Sequence, residues 1–233
     1  MHQTPTVAFV SIGQTPRPDI TADFLQICGN AFRILELGAL DDLPAGEIAG
    51  LAPRAGESDL IAKLRDGQVV YLSHDRLIPY MQKRINQAEE AGASWIIVAC
   101  TGDFAELSST RPLLLPNNIL DHSVGSVLKE GDKLTVIVPT DGQVREATER
   151  WSQRGYTVAK VFVEQPFTDY HTLIDSLKND ATVQSTQGLI ADCFGFGSSF
   201  MNAAAKVYRQ PIFVSRLLIP HLLLATRSQH ALS

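Results

Sequence analysis

Two cysteine-containing turns are the segments of this chain best suited to chemistry. Cys100 ends the apolar run SWIIVAC, Cys193 ends the apolar run QGLIADC, and we expect a small turn and then a helical stretch after each. In an open parallel sheet, ligands bind beyond the carboxyl ends of the strands. A thiol at that edge would lie near a helix N-terminus, whose partial positive charge stabilises a thiolate. Two such thiols can serve as base and acid on opposite faces of one carbon, and a single thiol can serve as a covalent nucleophile.

The residues that follow each thiol are expected to bind the substrate. Backbone N–H groups at the start of a helix can hold a carboxylate, so Thr101, Gly102, Phe194 and Gly195 are candidates. The structural alternative is that each cysteine is a small buried hydrophobe, as cysteines often are. We favour that alternative for Cys28, which lies within an amphipathic helical pattern.

The loop after the first predicted strand, GQTPRPD, is a further candidate site. It carries Gln14, Thr15 and Arg17, and an arginine can bind a carboxylate through two parallel hydrogen bonds. The same residues also fit the start of a helix with an exposed arginine, because Pro18 suits the first helical position and Asp19 the first turn. Both interpretations stay open.

Polar residues after two later strands could reach the same edge of the sheet. Ser73 and His74 begin the segment SHDR. His74 could assist proton transfer, whereas a serine or aspartate in this segment would equally cap the next helix. Arg216, which follows the last predicted strand, has the same two interpretations. Asp121 and His122 are adjacent, and we interpret them as part of a helix cap rather than as a catalytic dyad.

The elements that must position these residues alternate between short apolar runs and amphipathic segments. The runs VAFVSIG, FRILELG, QVVYLS and SWIIVAC read as strands, and LIPYMQKRINQAEEAG has apolar residues at helical spacing. This order predicts an α/β fold with a mostly parallel sheet. A second series follows the segment PNN, with KLTVIVPT, TVAKVFV, QGLIADC and PIFVS as strands.

The second series repeats the order of the first in pattern rather than in residue identity. KLTVIVPT corresponds to TVAFVSIG, and QGLIADC corresponds to SWIIVAC. We therefore predict two α/β domains, 1–116 and 117–216, although one large doubly wound sheet would show a similar alternation. The last helical segment, RLLIPHLLLATR, is too apolar to face solvent and should pack against a sheet or an interface.

Composition and missing motifs narrow the class of protein. The chain has 233 residues, of which 45% are hydrophobic, and a net charge of −5, which argues against a nucleic-acid partner. It has neither an apolar run of about 20 residues nor a basic leader, so we expect a cytoplasmic protein without a membrane partner. Three cysteines do not make a disulfide framework. Phosphate-loop, nucleophile-elbow and metal-ligand spacings are missing, so we expect no cofactor and no metal.

Several segments resemble the AroM family, and the resemblance covers nearly the whole chain: SIGQTPRPD, ELGALDDL, VACTGDF, DCFGFG and VSRLLIPHL. That family is in turn similar to the aspartate/glutamate/hydantoin racemase superfamily. The resemblance implies two flavodoxin-like (Rossmann-like) domains with a cleft between them, and a C-terminal segment, 217–233, that completes the first domain. It implies no cofactor, with Cys100 and Cys193 as paired acid and base. Phe194 departs from the hydroxyl residue that many racemases carry after the second cysteine.

Three functions follow from these residues and the resemblance. The first is a cofactor-independent racemase or isomerase that acts on a small carboxylate by proton transfer between two cysteines. The second is an enzyme of the same fold that uses one cysteine, as a decarboxylase or a cis–trans isomerase does. The third is a non-catalytic carboxylate-binding or regulatory protein. The expected partner is the small carboxylate, and a homodimer is an assembly that this class of protein allows.

Overall fold

The computed structural model describes residues 4–227. These residues divide into two compact units: the first unit comprises 4–116 together with 217–227, and the second unit comprises 117–216. Each unit contains its own parallel sheet with helices, as the alternating sequence pattern predicts. The predicted α/β class with mostly parallel sheets is therefore confirmed. Among the described residues, no helix combines the length and the apolar character needed to cross a membrane.

The first unit begins with the strand and helix that flank the GQTPRPD loop. In chain order it contains β1 (Thr6–Ser11), α1 (Pro18–Cys28), β2 (Arg33–Gly38), α2 (Ala45–Gly50), β3 (Asp59–Lys63), β4 (Val69–Ser73), α3 (His74–Glu90), β5 (Trp95–Ala99) and β6 (Leu113–Leu114). Its parallel sheet has the order β2-β1-β5-β6. Strand β1 is buried along its whole length, which explains its nearly continuous apolar sequence.

The second unit has the same strand order. After α4 (Pro116–Val127) come β7 (Lys133–Val138), α5 (Gln143–Gln153), β8 (Thr157–Val163), α6 (His171–Asn179), α7 (Ala181–Gln184), β9 (Gly188–Ala191), α8 (Ser198–Ala204), β10 (Ile212–Val214) and α9 (Ser215–Thr226). Its sheet has the order β10-β9-β7-β8. Counted within each parallel sheet, both units have the order 2-1-3-4, so the repeated pattern of the sequence corresponds to a repeated topology.

The prediction that QVVYLS joins the parallel sheet is wrong. Strand β4 pairs with β3 in a separate antiparallel hairpin. The connection of residues 64–68 is too short for the crossover that two parallel neighbours require. Gly67, with φ of 90°, forms the tight turn. Leu60 and Leu72 are buried whereas Tyr71 is exposed, as expected for a hairpin with one face on the core.

Helix α9 contributes its later residues to the first unit. Ile219 and Leu223 are both 1% exposed, and the Cys28 thiol of α1 lies 3.8 Å from the Pro220 carbonyl oxygen, to which it donates. Pro220 lies inside the helix, five residues after its start, so it has no N–H to donate to the carbonyl four residues before it. The apolar C-terminal helix is thus part of the hydrophobic packing of the first unit.

Leu223 and Leu222 provide a matched test of this packing. Leu223→Ala should destabilise the protein by about 2–5 kcal/mol, because it leaves a cavity against the first unit. Leu222, which is 41% exposed, should change stability by less than about 0.5 kcal/mol when replaced by alanine. Urea unfolding measures both values, and hydrogen exchange locates the loss. Equal effects, or a loss of protection confined to 117–216, would contradict the assignment of α9.

Candidate active site

Cys100 follows β5, the third parallel strand of the first unit, which lies between β1 and β6. The strand ends in a tight turn in which the Cys100 N–H donates to the Val98 carbonyl at 2.8 Å. Two residues later the chain folds back, and the Gly102 N–H donates to the Cys100 sulfur at 3.4 Å. The thiol is therefore held at the carboxyl edge of the sheet by the backbone of its own turn.

Cys193 occupies the equivalent place in the second unit. It comes after β9, the third parallel strand, which lies between β7 and β10. The Gly195 N–H donates to the Cys193 sulfur, again at 3.4 Å, and the Phe196 N–H donates to the Cys193 carbonyl at 3.2 Å. The two thiols, 93 positions apart in the sequence, thus have the same backbone donor at the same distance.

The sequence predicts helix N-termini as the groups that stabilise a thiolate, whereas the structure offers the backbone N–H groups of the two turns. A helix was predicted soon after each cysteine, but residues 101–112 contain no helix, and α8 begins only at Ser198. The helix predicted after Cys100 is therefore wrong. A hydrogen bond donated to sulfur favours the charged thiolate, so the turn N–H groups supply the effect that was expected from helix N-termini.

The same contacts bear on the predicted substrate-binding residues of the two turns. The N–H groups of Gly102 and Gly195 point to sulfur, rather than outward to a carboxylate. Thr101 and Phe194 are both buried. Phe194, which has no hydroxyl, fills space within the second unit, so the two turns share their backbone geometry but not their side-chain chemistry.

The GQTPRPD loop is tied together by its own polar groups. Thr15 donates both its N–H and its hydroxyl to the carboxylate of Asp41, each at 2.7 Å. The Gln14 amide donates to the Leu40 carbonyl at 3.2 Å and accepts from the Arg65 N–H at 3.0 Å. Gln14 and Thr15 therefore link the loop to the residues after β2 and to the tip of the β3–β4 hairpin.

Arg17 is buried and makes a two-bond contact within the first unit. Its Nε and Nη2 donate to the two carboxylate oxygens of Asp19 at 2.8 and 2.7 Å. Burial alone would raise the pKa of Asp19. The contact with Arg17 and the charge of Lys63 lower it by more, so the pKa lies below its usual value. The arginine was expected either to bind substrate or to be exposed. The exposed alternative is wrong, because Arg17 is 6% exposed.

His74 lies against the loop that follows Cys100. Its Nε2 contacts the Asp103 carbonyl, its Nδ1 lies 3.0 Å from Asp75 Oδ1, and its ring centroid is 5.0 Å from that of Phe104. Ser73, immediately before it, is fully buried and precedes α3 without a side-chain cap. The capping role considered for Ser73 is therefore wrong, while the structure does bring His74 to the Cys100 loop.

The second unit places a polar group beside Cys193 that the sequence reading missed. Tyr170, at the start of α6, donates its hydroxyl to the Pro166 carbonyl at 3.0 Å. Burial raises the pKa of its phenol. The positive charge of Arg216 and a hydrogen bond with Ser199 oppose this rise, and the negative charges of Cys193 and Glu164 add to it. Cys193, Tyr170 and Arg216 are therefore close enough for their charges to interact.

Asp192, the residue before Cys193, belongs to a buried ion network of the second unit. Arg150 donates to both carboxylate oxygens of Asp192 at 3.2 and 3.1 Å and to Asp121 at 2.6 Å. The Trp151 indole N–H donates to Asp192 at 3.3 Å. Burial raises the pKa of Asp192, whereas Arg150 and Trp151 act in the opposite direction. The interpretation of Asp121 as a cap is wrong, because its side chain pairs with Arg150 and Arg154 of α5.

The sequence of the chain matches one family model over most of its length. The family model described as AroM protein matches residues 7–224. This chain belongs to the AroM family. A comparison with curated protein sequences gives no match. Among residues 4–227, no group of three or more histidine, cysteine, aspartate or glutamate side chains is arranged to hold a metal ion.

Solved structures similar to this AroM protein share its fold at low sequence identity. Allantoin racemase from Klebsiella pneumoniae matches with a TM-score of 0.58 and 14% identity, over 94% of this chain and 88% of that one. An aspartate racemase homologue from Pyrococcus horikoshii OT3 matches at 0.59 and 10%, over 94% and 97%. Unliganded arylmalonate decarboxylase matches at 0.61 and 10%, over 97% and 94%. The expected resemblance of the AroM family to the aspartate/glutamate racemase superfamily is thus confirmed at the level of the fold.

The glycines of the two turns predict different sensitivities to substitution. A Cβ at Gly195 would lie 2.4 Å from Pro166 Cγ, whereas a Cβ at Gly102 would lie 3.2 Å from the edge of the Phe104 ring. Gly195→Ala should therefore destabilise the protein by about 1–3 kcal/mol, and Gly102→Ala by less. Gly46→Ala, in open space within α2, should instead stabilise by about 0.5–1 kcal/mol. Thermal unfolding of the three variants gives the order, and equal losses at Gly195 and Gly102 would contradict it.

Proposed function

We propose that this AroM family member is a cofactor-independent isomerase of the racemase or epimerase type, acting on a small carboxylate-bearing substrate. Cys100 and Cys193 are the proton-transfer pair. The observation that carries this proposal is the repeated thiol geometry: each sulfur follows the third strand of a 2-1-3-4 parallel sheet and accepts an N–H from the second residue after it. A donor to sulfur favours the thiolate form, which proton abstraction by a cysteine requires.

The reaction needs one base and one acid, on opposite faces of the reacting carbon. One cysteine, as thiolate, removes the proton from the carbon next to the substrate carboxylate, and the electron pair of the broken C–H bond moves onto that carboxylate. The other cysteine, as thiol, gives a proton to the opposite face of the carbon and becomes the thiolate. The product has inverted configuration, and the two cysteines have exchanged roles. No oxidant or electron carrier is consumed.

The fold comparisons support this class of chemistry without fixing the substrate. The similar structures include an allantoin racemase and an aspartate racemase homologue. The proposal places the substrate beyond the carboxyl edges of the parallel sheets, where ligands bind in open α/β sheets. The substrate carboxylate then binds through residues of these edges, with Arg216 and His74 as the candidates that lie nearest to the two turns.

A second candidate function uses only one thiol. The different settings of the two cysteines favour it, because Cys100 belongs to an apolar cluster whereas Cys193 has Tyr170 in its neighbourhood. In this alternative, Cys193 would protonate the carbanion left by loss of CO2, and the similarity in fold to arylmalonate decarboxylase supports this class of reaction. The third alternative, a regulatory protein, would bind a carboxylate without changing it.

Deuterium incorporation separates the three functions. The protein is incubated in D2O, with a chelator present, with each enantiomer of aspartate, with phenylmalonate and with a mixture of other small carboxylates, and separately with allantoin, which has no carboxylate. We expect a substrate that gains one deuteron and loses optical activity without any other change in mass, because solvent protons exchange through the two thiols. Mass spectrometry and polarimetry detect both changes.

Three cysteine variants serve as the test of mechanism. Cys100→Ala and Cys193→Ala should each abolish inversion, with losses of at least about a thousandfold. Cys28→Ala is the matched control, because this buried thiol lies in α1 of the first unit and should leave turnover unchanged. Loss of CO2 that depends on Cys193 alone would establish the second function instead. Inversion that survives in either active-site variant would refute the two-thiol mechanism.

A further inference from the structure

The two cysteines share a turn but differ in what surrounds it. Cys100 is 9% exposed and belongs to the buried apolar cluster of the first unit, together with Leu60, Leu72 and Phe104. The space beside Gly102 is filled by Phe104 and Leu60. Cys193, in contrast, is only partly buried. An apolar surrounding disfavours a thiolate, since the charge loses its hydration.

A buried positive charge lies in the neighbourhood of Cys193. Arg216, which is 8% exposed, is the second residue of α9, which directly follows β10, and β10 is the strand next to β9. The charges of Arg216 and Cys193 both act on the phenol of Tyr170, so the three groups lie at the same carboxyl edge of the second sheet. A nearby cation favours the thiolate, and the effect is stronger where water is partly excluded.

Glu164 and Asp192 are two negatively charged groups of the second unit near this site. Glu164, at the end of β8, is the opposing negative charge and also acts on Tyr170. Asp192 adjoins Cys193, but its carboxylate receives Arg150 and the indole of Trp151. The ring of Tyr170 packs on Phe196 and Phe200 at centroid distances of 5.8 and 5.5 Å, and burial raises the pKa of its phenol.

The groups near Cys100 form a different set. On its own loop, the carbonyl of Asp103 accepts from His74. At the start of α3, His74 also faces Asp75. The guanidinium of Arg17, in the loop after β1, contacts Asp19, and Lys63 at the end of β3 acts on Asp19 as well. The cations of these neighbouring elements thus have carboxylates beside them.

We propose that Cys193 is the thiolate and Cys100 the thiol of the resting protein, and that Arg216 is the positioning residue that holds the negative charge on Cys193. The proposal rests on the proposed function, since it assigns the resting roles of the same two thiols. It has a stereochemical consequence: the resting protein acts first on the enantiomer whose reacting C–H bond is presented to Cys193. The other enantiomer reacts only after the proton has moved from Cys100 to Cys193.

The pH dependence of alkylation measures the order of ionisation directly. The native full-length chain is treated briefly with iodoacetamide between pH 5 and 11, and the extent of modification of each cysteine is read from its own peptide by mass spectrometry. Each profile is scaled to its own plateau, so that differences in solvent exposure between the cysteines do not affect the comparison of the midpoints. Cys28 is the internal reference, because burial raises the pKa of its thiol to about 11.

We expect the Cys193 profile to have its midpoint below the value of about 8.5 for a free cysteine, and the Cys100 profile to have its midpoint above it. Each unit of separation corresponds to about a tenfold difference in thiolate fraction at neutral pH. Coincident midpoints, or a lower midpoint for Cys100, would overturn the proposal, and this outcome needs no variant.

Arg216 variants test the cause of the difference. Arg216→Gln should lower the thiolate-dependent alkylation of Cys193 at pH 7 about tenfold, while the Cys100 profile in the same molecule stays in place. Arg216→Lys, which keeps the charge, should restore most of the rate. Arg209→Gln removes a charge from the exposed surface of the same unit and should change neither profile. An Arg216→Gln protein with an unshifted Cys193 midpoint would show that another group supplies the stabilisation.

The two proposals fail in different ways. Alkylation requires no turnover, so ordered midpoints without any isotope exchange would reject the isomerase and retain the assignment of the resting thiolate. Isotope exchange that depends on both cysteines, combined with coincident midpoints, would do the reverse.

Discussion

The hydrogen bond from the backbone N–H of the second following residue to each cysteine sulfur is the contact on which the site depends. It fixes the direction of the thiol and offers a donor to its charged form, and it uses no side chain. Such a contact requires the chain to reverse immediately after the strand. At Gly195 that reversal passes so close to Pro166 that even a methyl group would collide. The turn is therefore specified by packing against the next loop as much as by local conformation.

The position of each turn follows from sheet topology. In a 2-1-3-4 order, the third strand lies beside the first, and their outgoing loops diverge to leave a crevice at the carboxyl edge. Strands β5 and β9 both hold this position, and each is buried because it is covered on both faces. The parallel ladders thus hold the end of each strand rigidly, as the proton transfer proposed above would require.

The sequence predicted those parts of the molecule that depend on local pattern. Apolar runs such as TVAFVS and SWIIVA are strands, and the spacing in α3 gives its buried face of Leu77, Met81 and Ile85. The strand ends at Cys100 and Cys193 follow from the same pattern. Sequence reasoning failed where a partner distant in the chain decides: β4 pairs with β3 instead of the main sheet, and Asp121 pairs with Arg150 instead of capping a helix.

Two residues near Cys193 show why the remainder of the site could not be predicted. Tyr170 directly precedes the amphipathic helix α6, and its position depends on the packing of its ring on Phe196 and Phe200, which no local pattern predicts. Asp192 lies in a strand-like apolar run, where a buried carboxylate is unfavourable without partners. Arg150 and Trp151 are the partners, and both are distant in the sequence. A signal was nevertheless present for Asp192, because a charged residue at the end of a buried strand requires a buried partner.

The duplicated topology raises the question of why the two halves differ chemically. A duplicated turn gives both thiols the same donor, and identical surroundings would leave the proton shared equally between them. The protein instead combines an apolar setting for Cys100 with a polar one for Cys193. A pair of titrating groups whose environments separate their proton affinities has defined acid and base roles in each direction of reaction. Because the backbone geometry is common to both halves, the side chains around it decide which chemistry the fold performs. In this chain the difference between Phe104 beside one thiol and Tyr170 beside the other therefore carries more functional information than the shared fold.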